Sequence, residues 1–324
     1  MADAAPTPTR AIVLILVAMV CISVNDTLIK LLSGGYPLHQ MVFVRSIIGV
    51  VFTAIILRYE GGLRLLRTAQ PGLHAIRALL IVAANMLYFA ALAVMPLGAA
   101  VALFFVAPLF ITLLAIPVLG ERVGRHRLTA ILVGLAGVAV MMAPGVDWGE
   151  APRGALILPV LAAACYAGMQ VMTRKLGAQS AASAMAIYIQ VAFIAVSALF
   201  YVGVGDGRFA QGVNNPSLQF LLRAWIWPEP GDWWKFATLG LMSAAIGYSL
   251  SQAYRLGNAA TIASYEYVAL PAAIVIGWTV FAERPGVATI LGAALIAGGG
   301  LYVFARERRQ AGVGPAAERP IRRG

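Results

Sequence analysis

Ten stretches of about 20 mostly apolar residues recur along this chain, and that feature limits its folding more than any other. Hydrocarbon offers no partner to a backbone N–H or C=O, so each stretch must satisfy its own polar groups as a helix. The spans run Arg10–Ser33, Leu38–Leu57, Gly72–Val94, Leu97–Leu119, Arg127–Met142, Gly154–Thr173, Ala182–Val202, Lys235–Arg255, Ala259–Phe281 and Gly286–Ala305. The expected fold is an all-α polytopic membrane protein. Composition agrees. Hydrophobic residues make up 61% of the 324 and charged residues 11%, against about 45–50% and about 25% in soluble domains. That balance excludes both a water-soluble enzyme and a disordered chain.

The net charge of +11 does not point to nucleic acid, because the basic residues sit in short gaps between spans and in the tail. With the N-terminus inside, 16 Lys and Arg residues fall on the inner side and 5 on the outer. The inner group includes Arg306, Arg308, Arg309, Arg319, Arg322 and Arg323 of the last 19 residues. An inner-membrane protein with both termini cytoplasmic is expected. Trp148, Trp225, Trp227, Trp233 and Trp234 then gather at the outer interface. Tight links, Met95–Pro96 and Gly257–Asn258, join antiparallel neighbours. One long outer loop, Gly203 to Trp234, contains the apolar stretch Leu218–Trp227. It reads first as a helix lying on the outer leaflet, and second as a lid over a substrate entrance.

Cys21 and Cys165 lie inside apolar runs, and His39, His74 and His126 are scattered. Neither a disulfide framework nor a metal site is indicated. No phosphate-binding or dinucleotide fingerprint stands in a strand–loop–helix context, so no cofactor is expected. The spans show no paired carboxylates or activated nucleophile that would make an enzyme.

The chain repeats itself. From Leu97 and again from Leu256 it reads Leu-Gly, small residues, a helical proline (Pro108, Pro271), then Glu121–Arg122 and Glu283–Arg284, then a glycine-rich span. The Pro-to-Glu gaps are 13 and 12 residues. A five-helix unit is odd-numbered, so its second copy inserts upside down, as in secondary transporters. The expected domains are a tail 1–9, repeats 10–145 and 146–305 with the outer loop 203–234, and a basic tail 306–324. Gly134, Gly137, Gly292, Gly298, Gly299 and Gly300 lie on the last span of each repeat. They suit close helix packing, with a monomer or a homodimer both open.

These units, together with Phe43-Val44-Arg45 of the second span, resemble the drug/metabolite transporter superfamily in its ten-helix EamA-type branch. The likeness covers about residues 11–305. Asn25-Asp26 followed by Lys30, His74-Ala75-Ile76-Arg77, and Tyr265-Glu266-Tyr267 resemble a subgroup that imports cofactor-like metabolites. Riboflavin, then S-adenosylmethionine, are the substrates this implies. Export of amino acids, metabolites or drugs is the alternative on the same fold.

A charge at mid-bilayer costs about 2.5–3.5 kcal/mol on the lenient insertion scale, so each needs a partner or a task. Asp26, Lys30 and Arg45 stand at matching depth and are expected to form one network, with Asn25 beside it. Glu266, between Tyr265 and Tyr267, either pairs with Arg77 or Arg255 or carries a proton. Asn85 with Tyr88, Tyr166 with Gln170, Tyr248 with Gln252, and Tyr188 with Gln190 put amides beside aromatic rings. With Phe105 they suit a flat heteroaromatic small-molecule substrate, which needs stacking and edge hydrogen bonds. The other reading of each pair is an interhelical hydrogen bond.

Overall fold

The computed structural model describes residues 9–120, 125–143, 153–176, 180–256, 262 and 265–311. Within them the chain is helical, with no strand. The long helices are α1 (Thr9–Leu32), α2 (Leu38–Glu60), α3 (Pro71–Leu92), α4 (Leu97–Phe104), α5 (Ala107–Leu119), α6 (Arg125–Met141), α7 (Ile157–Leu176) and α8 (Ala182–Val204). After the short α9 (Pro216–Leu222) come α10 (Trp233–Leu256), α11 (Ala269–Phe281) and α12 (Val287–Ala311). Among the described residues six helical segments are long and apolar enough to cross a membrane, and three shorter apolar helices fall in α6, α11 and α12. The Glu121–Arg122 motif, the Gly257–Asn258 link, Trp148, the first eight residues and the tail from residue 312 lie outside the described residues, as do the side chains of His126 and Arg255.

Consecutive helices run back and forth between two ends. One end gathers Lys30, the start of α4 and Glu283; the other gathers Glu60, the start of α3 and the end of α7. α1 packs on α10 and α3 on α7; α2 packs on α8 and on α10; α6 packs on α12, and α4 on α11. The main core joins residues of α1, α2, α3 and α4 with Phe193, Phe236, Tyr267 and Ile296. Side chains that point away from it, such as Val20, Leu199, Val202 and Trp278, stay exposed on the outside of the bundle. That distribution fits lipid as the outer solvent, because a helix in a bilayer need not hide an apolar face.

The α6–α12 contact depends on glycine. A Cβ on Gly137 would stand 2.8 Å from the Gly292 carbonyl, and one on Gly292 would stand 2.2 Å from Met141 Cγ. The glycine stripe is therefore used inside the chain, to let two backbones touch.

Two spans that look continuous in sequence are interrupted. The fourth breaks at Phe105–Val106, between α4 and α5, just before Pro108. The ninth is helical at Tyr265–Glu266, turns at Tyr267–Val268, and resumes as α11 before Pro271. A proline lacks an N–H and clashes with the preceding turn, so each break lies N-terminal to it. The two breaks meet, with Phe105 stacked on Tyr267 at 5.1 Å between ring centroids.

Candidate functional site

The polar centre of the bundle is assembled from three helices. Asn25 and Asp26 come from α1, Arg45 from α2, and Asn85 and Tyr88 from α3. Asn25 bridges the charges: its Oδ1 accepts from Arg45 Nη1 at 3.3 Å and its Nδ2 donates to Asp26 Oδ1 at 3.2 Å. Tyr88 donates to Asp26 Oδ2 at 2.9 Å, and Arg45 Nη2 donates to Asn85 Oδ1 at 2.5 Å. The guanidinium also lies over Phe89 and Phe193, 5.5 and 5.0 Å from their centroids. Asp26 and Arg45 are buried, so charge-assisted hydrogen bonds and ring faces replace the lost water. The expected network thus forms between Asp26 and Arg45, but through an amide and without a direct ion pair.

Lys30 is not part of it. One turn beyond Asp26, it points to the end of the bundle and pairs with Glu283 Oε1 at 3.0 Å. It also donates to the carbonyls of Leu92, at 3.2 Å, and Met95. Helical spacing alone placed Lys30 with Asp26, whereas the last turn of α3 and the segment after α11 supply its real partners. The N-cap of α4 is Pro96, which offers no capping side chain. Glu283 Oε2 takes that role by accepting from Leu97 N at 2.8 Å, where a negative charge also suits the helix dipole. A half-open cavity of about 280 Å³ adjoins this clamp, between Gly98 of α4 and Gly277 of α11, with Arg284 at its edge.

From Asp26 an aromatic row leads across the bundle. Tyr88 contacts Phe104 at 5.2 Å between centroids, and Phe104 contacts Tyr166 at 5.3 Å. Gln170 Nε2 donates to the Tyr166 hydroxyl at 2.7 Å. Phe104, Tyr166 and Gln170 are half-buried. Sequence reasoning selected Phe105 and missed Phe104; the break after α4 directs Phe104 to the row and Phe105 to Tyr267. Glu266 is half-buried within electrostatic reach of Tyr166 and Tyr267, and Tyr265 is half-buried one residue before it. The proposed Arg77–Glu266 pair does not form, because Arg77 Nε donates to Thr173 Oγ1 at 2.6 Å.

Four other expected residues lie elsewhere. The Tyr188 hydroxyl donates to the Leu66 carbonyl in the turn Leu63–Leu66, and its ring contacts His74 at 4.7 Å. Gln190 donates to Ser243 Oγ at 2.9 Å and lies flat on Gly49. Gln252 donates to Glu60 Oε1 at 3.2 Å and contacts the Tyr248 hydroxyl, while Ser183 donates to Glu60 Oε2 at 2.6 Å. These are interhelical bonds, and those of Tyr188, Tyr248 and Gln252 gather at the Glu60 end.

The loop between α8 and α10 is not a single interfacial helix. Asn215 caps α9 by accepting from Ser217 N and Leu218 N. Phe220 is buried, and Ser217 Oγ donates to the Ala90 carbonyl at 2.8 Å. The following extended stretch is stitched to the Lys30 end. Arg223 donates to the carbonyls of Ser33 and Gly34, and Gln40 both donates to the Ile226 carbonyl and accepts from its N–H. Asp232 accepts from Tyr36 at 2.7 Å and from Lys235 at 2.5 Å. Lys235 first, then Tyr36, hold its carboxyl below the usual carboxylate range.

A bundle of apolar helices with two broken helices meeting beside a polar centre defines a membrane transporter. The comparisons agree. Residues 9–143 match the EamA-like transporter family, so this stretch is an EamA domain of the drug/metabolite transporter type. The chain is 29% identical to a riboflavin transporter of Brucella anthropi, over 84% of this chain and 90% of that one. It is 24% identical to a S-adenosylmethionine uptake transporter of Rickettsia prowazekii, over 95% and 97%. It is also 26% identical to the pseudopaline exporter CntI of Pseudomonas aeruginosa, over 88% and 92%. A crystal structure of a protein 21% identical shares the fold, with a TM-score of 0.65 over 93% of this chain and 99% of that one. The protein is a multi-pass inner-membrane transporter of a small molecule, and not an enzyme.

Proposed function

We propose that the protein imports a flat heteroaromatic metabolite, with riboflavin the first compound to test. The observation that carries this is the row Tyr88–Phe104–Tyr166, with Asp26, Asn25, Asn85 and Arg45 at one end and Gln170 at the other. A fused ring system stacks on such rings, and its imide and ring nitrogens take hydrogen bonds from amides and a guanidinium. Transport follows alternating access of two inverted five-span halves, residues 10–145 and 146–305, in a chain of ten spans with both termini cytoplasmic. The paired contacts support this reading: α1 on α10 corresponds to α3 on α7 when the halves are exchanged. The break before Pro108 corresponds likewise to the break before Pro271. Glu266, beside Tyr166, is the carboxylate we assign to proton coupling. The Lys30 end then faces the periplasm and the Glu60 end the cytoplasm.

The test is flavin fluorescence in the presence of purified protein, followed by uptake into a riboflavin-requiring bacterium. Binding should quench the flavin, and Phe104→Ala should weaken it by about tenfold, the loss expected when one stacking face is removed. Absence of quenching, with stabilisation by amino acids instead, would overturn the substrate assignment. The exporter relative supplies a second reading, and accumulation in inside-out vesicles rather than in cells would favour it.

A further inference from the structure

Three basic side chains reach into the described spans at buried or nearly buried positions, and they are not treated alike. Lys30 has the Glu283 carboxylate and two carbonyls. Arg45 has Asn25, Asn85, the nearby Asp26 and two ring faces. Arg77 is 3% exposed, and among the described residues no carboxylate lies within ion-pair distance of it. Its one hydrogen bond runs from Nε to Thr173, and its Nη1 is buried without a partner. A lone buried guanidinium is costly, and the cost falls when an anion arrives.

A second observation stands beside it. His74, one turn earlier on the same face of α3, is 4% exposed, and its Nδ1 is also buried without a partner. Its Nε2 lies 3.2 Å from Ser180 Oγ. The start of α3, the end of α7 and the segment before α8 thus bring a guanidinium, an imidazole and two hydroxyls to one end. All can donate hydrogen bonds, and Arg77 adds a permanent charge.

We propose that Arg77 and His74 form an anion subsite at the Glu60 end, selective for a phosphate group. A tetrahedral oxyanion offers the several acceptor oxygens that this donor set lacks, and the guanidinium fork matches it. Both side chains are shut off from solvent in this conformation, so the subsite fills when that end opens. The phosphate can belong to a soluble solute or to a lipid headgroup, and the chemistry at Arg77 is the same. The subsite is separate from the aromatic row, and its existence does not depend on what that row binds.

The test uses the full chain in phosphatidylcholine nanodiscs, in chloride buffer of constant ionic strength, with unfolding followed by tryptophan fluorescence. Inorganic phosphate should raise the melting temperature by about 3 °C, the shift expected near tenfold saturation. Arg77→Gln should abolish the rise. Arg64→Gln, an exposed arginine at the same end, should keep it. A rise seen only when phosphatidylglycerol replaces part of the lipid, and lost in Arg77→Gln, assigns the phosphate to a headgroup and supports the subsite. No rise in either arm overturns it, as does a full rise in Arg77→Gln. Should Arg77→Gln not fold, Arg77→Lys keeps the charge without the fork and should bind phosphate at least about tenfold more weakly. Equal broadening of the phosphorus-31 signal by Arg77→Lys and by the parent chain would then overturn the proposal. Flavin quenching enters neither arm, so failure here leaves the transport reading to its own test.

Discussion

The two ends of the bundle handle buried charge in opposite ways. At the Lys30 end one ion pair neutralises two charges and closes two helix termini. Lys30 covers the last carbonyls of α3, and Glu283 covers the first free N–H of α4. The loop after α8 adds a second layer through Gln40, Arg223 and Asp232. At the Glu60 end the charges stay apart. Glu60 takes neutral donors from Ser183 and Gln252, and Arg77 takes one hydroxyl. The difference teaches that an end can be shut by mutual compensation or left with donors and acceptors still to be used. An end of the first kind costs energy to open, because two desolvated charges lose their partners. An end of the second kind stands to gain interactions when something enters.

The most severe way to break this comparison is to remove one member of the Lys30–Glu283 pair. Lys30→Met leaves Glu283 without its cation, and unfolding free energy should drop by about 3–5 kcal/mol. Steric trapping or a denaturant titration in bicelles would read it. Adding Glu283→Gln to Lys30→Met should recover much of the loss, because the amide oxygen can still accept from Leu97 N. A single mutant as stable as the parent would remove the clamp from the argument.

The same substitution at the other end should have the opposite sign and a smaller size. Arg77→Met, in neutral lipid without phosphate, deletes a charge that has no carboxylate and should stabilise the chain by about 1–2 kcal/mol. A loss as large as that of Lys30→Met would mean that Arg77 is compensated after all, and the contrast between the ends would vanish.

The smallest effect concerns the loop stitch. Asp232 has a depressed pKa in the folded chain, because Lys235 and Tyr36 donate to its carboxylate. A depressed acid contributes stability above its unfolded value, and that contribution is lost as pH falls through the folded one. Hydrogen exchange of residues 223–232 should therefore be flat near neutrality and accelerate below about pH 4, the ordinary aspartate range. Asp232→Asn should exchange faster at all these values and lose the acid step. An unchanged pH profile in that variant would separate the stitch from Asp232.

Much of the polar centre was legible from spacing. Asn25, Asp26, Arg45, Asn85 and Tyr88 were singled out by their place in apolar text, and they converge. Tyr166 and Gln170 share a face four residues apart and do bond to each other. Lys30, Tyr188, Gln190, Tyr248 and Gln252 were equally visible as polar residues in spans, but they lie outside this centre. Depth and face of a single helix do not say which neighbour it meets. The partners of Lys30 are the last turn of α3 and a carboxylate more than 250 residues away along the chain. Phe104 had no distinguishing mark beside Phe105, since only the break in the helix tells the two rings apart.

The sequence by itself determined that the chain is a helical membrane protein. It also determined where most helices begin, and that two of them contain prolines in equivalent positions. These are local matters: apolar length decides what hydrocarbon accepts, and a proline breaks the turn in front of it. Only the tertiary structure decided that the glycine stripe serves α6 against α12, that Glu283 caps α4, and that Arg77 ends without a carboxylate. The reason is that hydrophobicity does not choose between helix faces in lipid. The choice falls to close packing and to the few polar groups that must find one another, and both are properties of pairs of helices.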